Sequence, residues 1–474
     1  MVNETTLIVL QHGLWGTASH MEFIEQQIVE NLDSKTIVVL NVECNEDKYT
    51  YDGVDICGNR LADNIQDHVK YLADEENKKV TKLILIGYSL GGLMARYAVG
   101  ILGKNGFFDS IEPFLFVTFA TPHLGVRRET KSKFAKVYNF VTGHMLSRTG
   151  EQLQLLDKFE NTNRPLLSIM ADPKRPFHQY LAKFKTRRIY ANVTNDRTVP
   201  YWTAAIEPYN YFEKMKNVEL SLDTEYPSVV TAFDVRQHDD KNKQEREKER
   251  RNQTAVAIKF AILVFSPILF PILGTLAFTY IGTQGLVSRY RVSRILASSP
   301  LLLANVEGST SANDEKETVE DHPSHDENTR IKRSNSGGST TSDDDNTLLH
   351  HHHHHHHHKE DPVLMDTLDA MDTIPNETNI DRSPQTTQHT KTKDRRSLYN
   401  IEPSKTIRQT YSAMQLINEQ FEIERNMQQL EWERVMVYID TFNAHASIVC
   451  RAKRFTNTGG KAAIRHFVDS LLLE

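Results

Sequence analysis

The stretch LILIGYSLGG, residues 83–92, joins four aliphatic residues to a serine that is enclosed by glycines. An unbroken aliphatic run favours a strand buried on both faces, and the GGLMARYAVG that follows favours a helix. Gly87, Ser89 and Gly91 form a G-x-S-x-G motif, in a turn so tight that a Cβ atom at either glycine would clash. The motif predicts a nucleophile elbow that presents the Ser89 hydroxyl at a helix N-terminus, where the helix dipole favours a developing negative charge.

Strand and helix patterns alternate on both sides of this elbow through the first half of the chain. Five short β-branched or aromatic runs end in turn residues and are predicted strands: TLIVLQHG, TIVVLNVE, KLILIGYS, FLFVTFATP and RRIYANVTND. Between the second and the third run, Leu61, Ile65, Val69 and Leu72 recur at helical spacing. This alternation predicts an α/β fold with a parallel sheet, helices on both faces and right-handed crossovers.

The composition narrows the class of protein. The chain has 474 residues, a formal net charge of −6 and no zinc-finger or RNA-binding motif, so binding to nucleic acid is not expected. Three cysteines, Cys44, Cys57 and Cys450, give no disulfide framework, which suits a reducing compartment. The N-terminal MVNETTLIVLQHG has no basic region and no small-residue cleavage site, so it predicts a strand rather than a signal peptide.

Two distant parts of the chain are predicted to form one core. Residues 1–235 supply most of it, with a helical cap at about 127–186 over the carboxyl edge of the sheet. Residues 406–474 repeat the order of helix, strand and helix, with a helical pattern over 410–435, the strand VMVYID and the closing helix GGKAAIRHFVDSLLLE. The segment between the two parts is therefore predicted to be one long insertion before the last strand.

The predicted insertion has three parts. Residues 236–253 are a charged linker, and residues 254–290 are hydrophobic. Residues 305–404 are polar and carry nine consecutive histidines, His350 to His358. Such a composition cannot bury enough apolar surface to fold, so this last part is predicted to be disordered. The histidine run could bind a divalent metal weakly, but it is interpreted as an expanded repeat in a linker.

A nucleophilic serine needs an acid and a base, and in this class of fold they follow it in that order. Asp196 ends the strand-like RRIYANVTND, where its carboxylate is well placed to orient an imidazole. The alternative reading of Asn195 and Asp196 is a simple turn-forming pair.

Two histidines after Asp196 are candidates for the base. His445 lies between the strand VMVYID and the last helix, at the carboxyl edge of the predicted sheet, and it is preferred. His238 opens the charged run and is the alternative. His466 falls within the last helix, where a surface or packing role is expected. His123, in the turn FATPHLG, precedes Asp196 and is given no catalytic role.

An oxyanion hole completes the predicted site. HGLWG, residues 12–16, follows the first strand, and the backbone N–H groups of Leu14 and Leu90 are the predicted donors to a tetrahedral intermediate. His12 precedes the serine and lies within this turn, so it is interpreted as structural.

HGLWG, GYSLGG, FATPHLG, ANVTNDRTVP and AHASIV together resemble the "putative serine esterase" family of α/β-hydrolases, in particular the fungal lipid-droplet phospholipases. The resemblance covers about Thr5 to Glu207 and Trp432 to Leu473. It implies an α/β-hydrolase fold and the roles of nucleophile for Ser89, acid for Asp196 and base for His445. It also implies hydrolysis of acyl esters in phospholipids without a metal or cofactor. It implies nothing about the histidine-rich insertion.

The hydrophobic segment constrains the topology. Phe260 to Ser288 contains no charged residue and would span about 43 Å as one straight helix. Pro267 and Pro271 interrupt that helix. A single membrane crossing would separate the base from the nucleophile, so a hairpin that returns to the same face is predicted. Arginines on both flanks suit a cytosolic location for its two ends. The alternative is a buried lid over the active site.

These features predict a serine hydrolase that cleaves acyl ester bonds of glycerophospholipids through a triad and an acyl-enzyme. The predicted partners are the phospholipid substrate and a lipid-droplet or membrane surface, and the sequence does not identify any protein partners. The predicted location is the cytoplasmic face of lipid droplets or of the endoplasmic reticulum membrane. The alternatives are a neutral lipase or acyl-thioesterase with the same triad, and a catalytically silent scaffold on a lipid surface.

Overall fold

The computed structural model describes residues 3–236, apart from short gaps between 129 and 146 and at 160 and 214, and then residues 275, 279–297, 389–390 and 398–472. The described residues form nine strands: β1 (Asn3–Gln11), β2 (Ile37–Asn41), β3 (Lys78–Tyr88), β4 (Glu112–Phe119), β5 (Thr186–Asn192), β6 (Val218–Asp223), β7 (Val230–Val235), β8 (His389–Thr390) and β9 (Glu433–Val437).

The central sheet has the order β2-β1-β3-β4-β5-β9, and all of its pairings are parallel. The chain places β2 on one side of β1 and β3 on the other, and it then continues away from β1 through β4, β5 and β9. The switch point between β1 and β3 is where open α/β sheets bind their ligands. The HGLWG turn and Ser89 follow β1 and β3, so both lie at that point. The strands β7, β6 and β8, in that order, form a second, smaller sheet.

The helices among the described residues are α1 (Glu22–Asn31), α2 (Val54–Asp74), α3 (Leu90–Lys104), α4 (Ser147–Leu153), α5 (Leu166–Ala171), α6 (Pro176–Ala182), α7 (Tyr201–Ala204), α8 (279–297), α9 (Lys405–Thr410), α10 (Asn418–Met427), α11 (Ala444–Ser447) and α12 (Thr458–Leu471). Three of them, α4 to α6, lie within the predicted cap range of 127–186. None of the helices in the described part of the chain combines the length and the apolar character needed to cross a membrane.

Two hydrophobic layers explain why the strand sequences are continuously apolar. In β1, Leu7 and Val9 point into one layer, which contains α2, α3, α5 and α6. Ile8 and Leu10 point into the other layer, which contains α1 and α12. Both faces of the sheet are thus covered, as a parallel sheet requires. The predicted α/β-hydrolase fold, with the last strand paired to β5 at the edge of the central sheet, is confirmed.

The predicted helix over 410–435 was confirmed mainly at α10, because residues 411–417 and 428–432 are not helical and residues 433–435 belong to β9. The structure has helix only at α9 and α10, and residues 411–417 between them are extended. The Met414 N–H donates to the Pro208 carbonyl at 2.8 Å instead of to its own helical turn. Tyr411, Met414 and Leu416 pack against the core, and this tertiary burial outweighs their helix propensity.

Most of the predicted insertion lies outside the described residues, including His238, His350 to His358 and 254–274. Its described parts contact the core. The helix α8 includes the last residues of the hydrophobic segment and continues to residue 297. Leu398, near the end of the predicted polar part, is buried in the layer that contains α1 and α12.

Candidate active site

Ser89 occupies a strained turn between β3 and α3. Its φ of 55° lies in the left-handed region, which is costly for a residue with a side chain. A Cβ atom at Gly87 would lie 2.4 Å from the backbone of the first turn of α3, and one at Gly91 would lie 2.3 Å from the Gln11 carbonyl oxygen. Both positions therefore require glycine. The Ser89 N–H donates to the Phe119 carbonyl at 2.9 Å and holds the turn against β4.

The structure brings the three predicted triad residues together. His445 Nε2 lies 3.0 Å from Ser89 Oγ, and His445 Nδ1 lies 2.9 Å from Asp196 Oδ2. The network assigns the tautomer: Nδ1–H donates to the carboxylate, and the serine hydroxyl donates to Nε2. The side chains of His445 and Asp196 are both largely shielded from solvent. Shielding strengthens both hydrogen bonds, because the surrounding dielectric is lower than that of water.

The Asp196 carboxylate is fixed by its own loop. Oδ1 accepts hydrogen bonds from the N–H groups of Val199 at 2.8 Å and Thr198 at 3.2 Å. Oδ2 accepts a hydrogen bond from Asn192 Nδ2 at 2.9 Å in addition to the one from His445. Asn192 also donates to the Ala444 carbonyl at 3.2 Å, so it joins the acid loop to the loop of the base. The turn reading of Asp196 is compatible with this geometry, because the same carboxylate stabilises the turn and contacts the imidazole.

The base is held by a residue that sequence reasoning missed. Tyr88, the second residue of the elbow motif, donates from its buried hydroxyl to the His445 carbonyl at 2.9 Å. The two rings lie 5.1 Å apart. The motif leaves this position unspecified, so the sequence carried no signal for its contact with a residue 357 positions away. Sequence reasoning also missed Asn192, and the one weak signal for its role is that a polar side chain stands at the end of a strand.

The other histidines are placed elsewhere. Burial lowers the pKa of His12 to about 4, and its ring contacts the Gly13 carbonyl at 3.0 Å, so it is neutral at pH 7. Burial also lowers the pKa of His123 well below its usual range, and its Nε2 lies 3.0 Å from Thr118 Oγ1. His466 is buried with its Nδ1 2.9 Å from the Tyr190 hydroxyl. The alternative base, His238, lies outside the described residues.

The predicted oxyanion turn lies directly against the serine. A Cβ atom at Gly13 would lie 2.7 Å from Ser89 Cβ and 3.2 Å from its Oγ, so only glycine leaves space beside the hydroxyl. Leu14 follows Gly13, and Leu90 is the first residue of α3. Neither N–H has a hydrogen-bond acceptor among the described residues. The Trp15 N–H donates instead to Thr50 Oγ1 at 3.1 Å, which fixes the turn.

Within the described ranges, no group of three or more His, Cys, Asp and Glu side chains is close enough to hold a metal ion.

The parallel sheet, the elbow after β3 and a histidine after the last strand define the α/β-hydrolase class. Residues 1–206, less than half of the chain, match the family model described as "Putative serine esterase (DUF676)".

Two relatives are named as lipases. The chain is 33% identical over 207 residues to a Schizosaccharomyces pombe protein named "Putative lipase", covering 42% of this chain and 26% of that protein. It is 31% identical over 219 residues to "Putative lipase ROG1" of Saccharomyces cerevisiae, covering 45% of this chain and 30% of the relative. The chain thus spans about a third of the length of these relatives or less.

Solved structures show more distant similarity. One is "Phospholipase PlaB from Legionella pneumophila in complex with thio-NAD", with a TM-score of 0.27 and 13% identity over 42% of this chain and 41% of that chain. Another is the peroxisomal α/β-hydrolase Lpx1 of Saccharomyces cerevisiae, with a TM-score of 0.25 and 9% identity over 43% of this chain and 66% of that chain. Similarity at this level says nothing about the substrate.

Proposed function

We propose that this chain is a serine hydrolase that cleaves acyl ester bonds of glycerophospholipids at the surface of a membrane or lipid droplet. The observation that carries the proposal is the hydrogen-bonded series from Ser89 Oγ through His445 to Asp196. The match of residues 1–206 to a family described as serine esterases supports ester hydrolysis, as do the relatives named as lipases.

In the acylation half-reaction, His445 Nε2 takes the hydroxyl proton as Ser89 Oγ attacks the ester carbonyl carbon. The carbonyl oxygen becomes an oxyanion, which the N–H groups of Leu14 and Leu90 bind. Each such donor typically contributes about 3 kcal/mol of transition-state stabilisation. Asp196 keeps the imidazole in the correct tautomer and stabilises the imidazolium. The intermediate then expels the alcohol, which takes the proton from Nε2, and the acyl group remains on Ser89.

In the deacylation half-reaction, His445 Nε2 takes a proton from water, and the resulting hydroxide attacks the acyl carbon. The second tetrahedral intermediate releases a fatty acid, and the proton returns to Ser89 Oγ. For a glycerophospholipid the products are one fatty acid and one lysophospholipid. This chemistry needs no metal or cofactor.

The phospholipid substrate and the cytoplasmic face of a lipid droplet or of the endoplasmic reticulum membrane are the finer parts of the proposal. They are supported by the charge-free stretch from Phe260 to Ser288 and by the motif resemblance to fungal lipid-droplet phospholipases. The names of the relatives favour one alternative, a neutral lipase that uses the same three residues.

The test measures fatty-acid release from phospholipid and triglyceride emulsions by purified wild type, Ser89→Ala and His445→Ala. Release from phospholipid is expected to fall by a factor on the order of 10⁶ in both variants, because triad members act as one unit. Ser19→Ala, at an exposed serine, is the matched control and should equal wild type. Release from triglyceride alone would establish the neutral lipase. Activity of Ser89→Ala near that of wild type would overturn the proposal.

A further inference from the structure

The helix α8 buries one face and exposes an apolar face opposite to it. Gly285, Ser288 and Val292 recur once per turn and are buried. Leu286, Val287 and Tyr290 lie on the other side, with 70%, 51% and 66% of their surfaces exposed. A helix on the surface of a soluble protein normally exposes polar side chains and buries its large apolar ones. Exposed large apolar side chains grouped in this way mark an interaction surface.

A fully buried carboxylate holds α8 in this orientation. Asp52 Oδ1 accepts hydrogen bonds from Ser288 Oγ at 2.7 Å and from Arg291 Nη2 at 2.5 Å. Its Oδ2 accepts from Arg291 Nε at 2.9 Å and from Arg60 Nη2 at 2.5 Å. The bidentate contact with Arg291 sets the rotation of the helix as well as its position. A second contact lies nearby, where Ser147 Oγ donates to the Gly285 carbonyl at 3.2 Å.

The turn that carries Asp52 also holds the predicted oxyanion turn. Residues Asp47–Asp52 form a short 3-10 helix. The Asp47 N–H donates to the Gly16 carbonyl at 2.9 Å, and Thr50 Oγ1 accepts from the Trp15 N–H at 3.1 Å. The rings of Trp15 and Tyr51 lie 5.9 Å apart. One six-residue turn therefore contacts both α8 and the backbone turn beside Ser89, and it links the position of the exposed apolar face to that of the active site.

The neighbouring sequence and charge favour a phospholipid surface as the occupant of this face. Leu286 and Val287 belong to the stretch from Phe260 to Ser288 that contains no charged residue, and Tyr290 follows it by two residues. Arg289 and Arg294 border the face, and Arg289 is 52% exposed while it pairs with Glu151. Aliphatic side chains beside tyrosine and arginine match the boundary between acyl chains and head groups. The arginines also complement anionic head groups.

We infer, on the basis of the proposed phospholipid substrate, that the exposed face of α8, formed by Leu286, Val287 and Tyr290, docks on a phospholipid surface and that Asp52 holds this face beside the active site. Docking there presents the ester bonds of the surface to Ser89. This face is thus where the enzyme binds a substrate that is assembled in a membrane or droplet surface.

The contact itself is tested with an environment-sensitive fluorophore on Val287→Cys, in the Ser89→Ala background so that no lipid is consumed. The matched control carries the fluorophore on Val29→Cys, because Val29 is 50% exposed on α1, in the opposite layer. On addition of phosphatidylcholine vesicles containing phosphatidylserine, emission from position 287 should shift to the blue and intensify, while emission from position 29 should not. An unchanged signal at 287 would overturn the inference. A shift that rises with protein concentration before vesicles are added would also overturn it, because a second copy would then be the occupant.

The consequence for turnover is tested with the double variant Leu286→Asp and Val287→Asp, with Val29→Asp as control. Hydrolysis of vesicle phospholipid should fall by about tenfold or more, since two apolar side chains lose their burial in lipid. Hydrolysis of a soluble short-chain ester should stay unchanged. Equal losses on both substrates would overturn the inference. Ester hydrolysis by wild type without phospholipid hydrolysis would overturn the proposed substrate, while the blue shift at position 287 would still support the docking surface.

Discussion

Four residues with positive φ gather at the carboxyl edge of the sheet, each just after a different strand. They are Trp15 after β1, Ser89 after β3, Ala120 after β4 and Asn195 after β5, with φ values between 47° and 58°. Each such residue costs on the order of 1 to 3 kcal/mol, and such residues cluster where a precise geometry is held by its surroundings. Here the strain lies in the predicted oxyanion turn, at Ser89, in the turn beside Ser89 and in the loop that carries Asp196.

Tyr88 is a positioning residue, because it touches the backbone of the base and not its reacting atom. Tyr88→Phe should lower kcat about three- to tenfold with little change in KM, since one buried hydrogen bond contributes about 1 kcal/mol. Labelling of Ser89 by a fluorophosphonate should slow by a similar factor. Tyr71→Phe, on the exposed side of α2, is the control. An unchanged rate with Tyr88→Phe would show that the packing of the two rings alone holds the base.

The residues that the sequence could predict are those with a local pattern. Ser89 was marked by the glycines and by the strand and helix around it. Asp196 and His445 were marked by their places after predicted strands and by their order in the chain, and the structure brings both to the serine. Tyr88 and Asp52 carry no such pattern, because their partners lie 357 and 239 positions away and only the folded chain defines them.

At the scale of the element, Asp157 shows how a partly buried carboxyl stabilises the start of a helix. Its Oδ2 accepts a hydrogen bond from the N–H of Leu166, the first residue of α5, at 2.8 Å. Its Oδ1 is buried and has no hydrogen-bond partner among the described residues. Burial raises the pKa of this carboxyl from 3.8 to about 6. The folded state therefore holds the proton more tightly than the unfolded state, and stability falls as the pH rises from about 4 to about 6.

Asp157→Asn should remove this loss, because the amide oxygen still accepts from Leu166 and no charge forms. The variant should exceed wild type by about 1 to 3 kcal/mol in free energy of unfolding at pH 8, at 1.36 kcal/mol per pKa unit. The difference should vanish near pH 4. Urea unfolding at the two pH values measures it. An equal difference at both would show that ionisation of Asp157 is not its cause.

Among the elements, the strands were predicted best. Their sequences are apolar on both faces, and this pattern indicates a buried strand whichever elements pack on the two faces. The secondary structure of 410–435 was harder to predict, because its apolar residues suit a helix as well as an extended segment that packs on the core. The choice depended on the Pro208 carbonyl, which is about 200 positions away and offered the Met414 N–H another partner.

At the scale of the whole molecule, Arg188 joins the two separated parts of the core. It is buried on β5, and its guanidinium pairs with Glu433 on β9 at 2.7 Å and donates to Ser470 on α12 at 2.5 Å. These partners lie 245 and 282 positions along the chain. The same C-terminal part carries His445, so attachment of this part and catalytic activity depend on common contacts.

Arg188→Met should destabilise the fold by about 1 to 3 kcal/mol, because it removes the hydrogen bonds from the buried guanidinium to Glu433 and to Ser470. The variant should unfold at a lower urea concentration than wild type, and the loss of activity should coincide with the change in tryptophan fluorescence. Arg465→Met removes an exposed arginine on α12 and should change the stability by less than about 1 kcal/mol. A urea midpoint for Arg188→Met equal to that of Arg465→Met would contradict the stabilising role given to Arg188.

The distance in sequence between Asp196 and His445, 249 positions, also has a consequence for synthesis. At about 5 to 20 residues per second, the ribosome needs on the order of 10 to 50 seconds to travel from the acid to the base. During that interval β5 is an edge strand that awaits β9, and the serine has no proton acceptor. Until translation has passed position 445, a nascent chain therefore lacks the proposed proton acceptor of Ser89, and until β9 has emerged its β5 edge is unpaired.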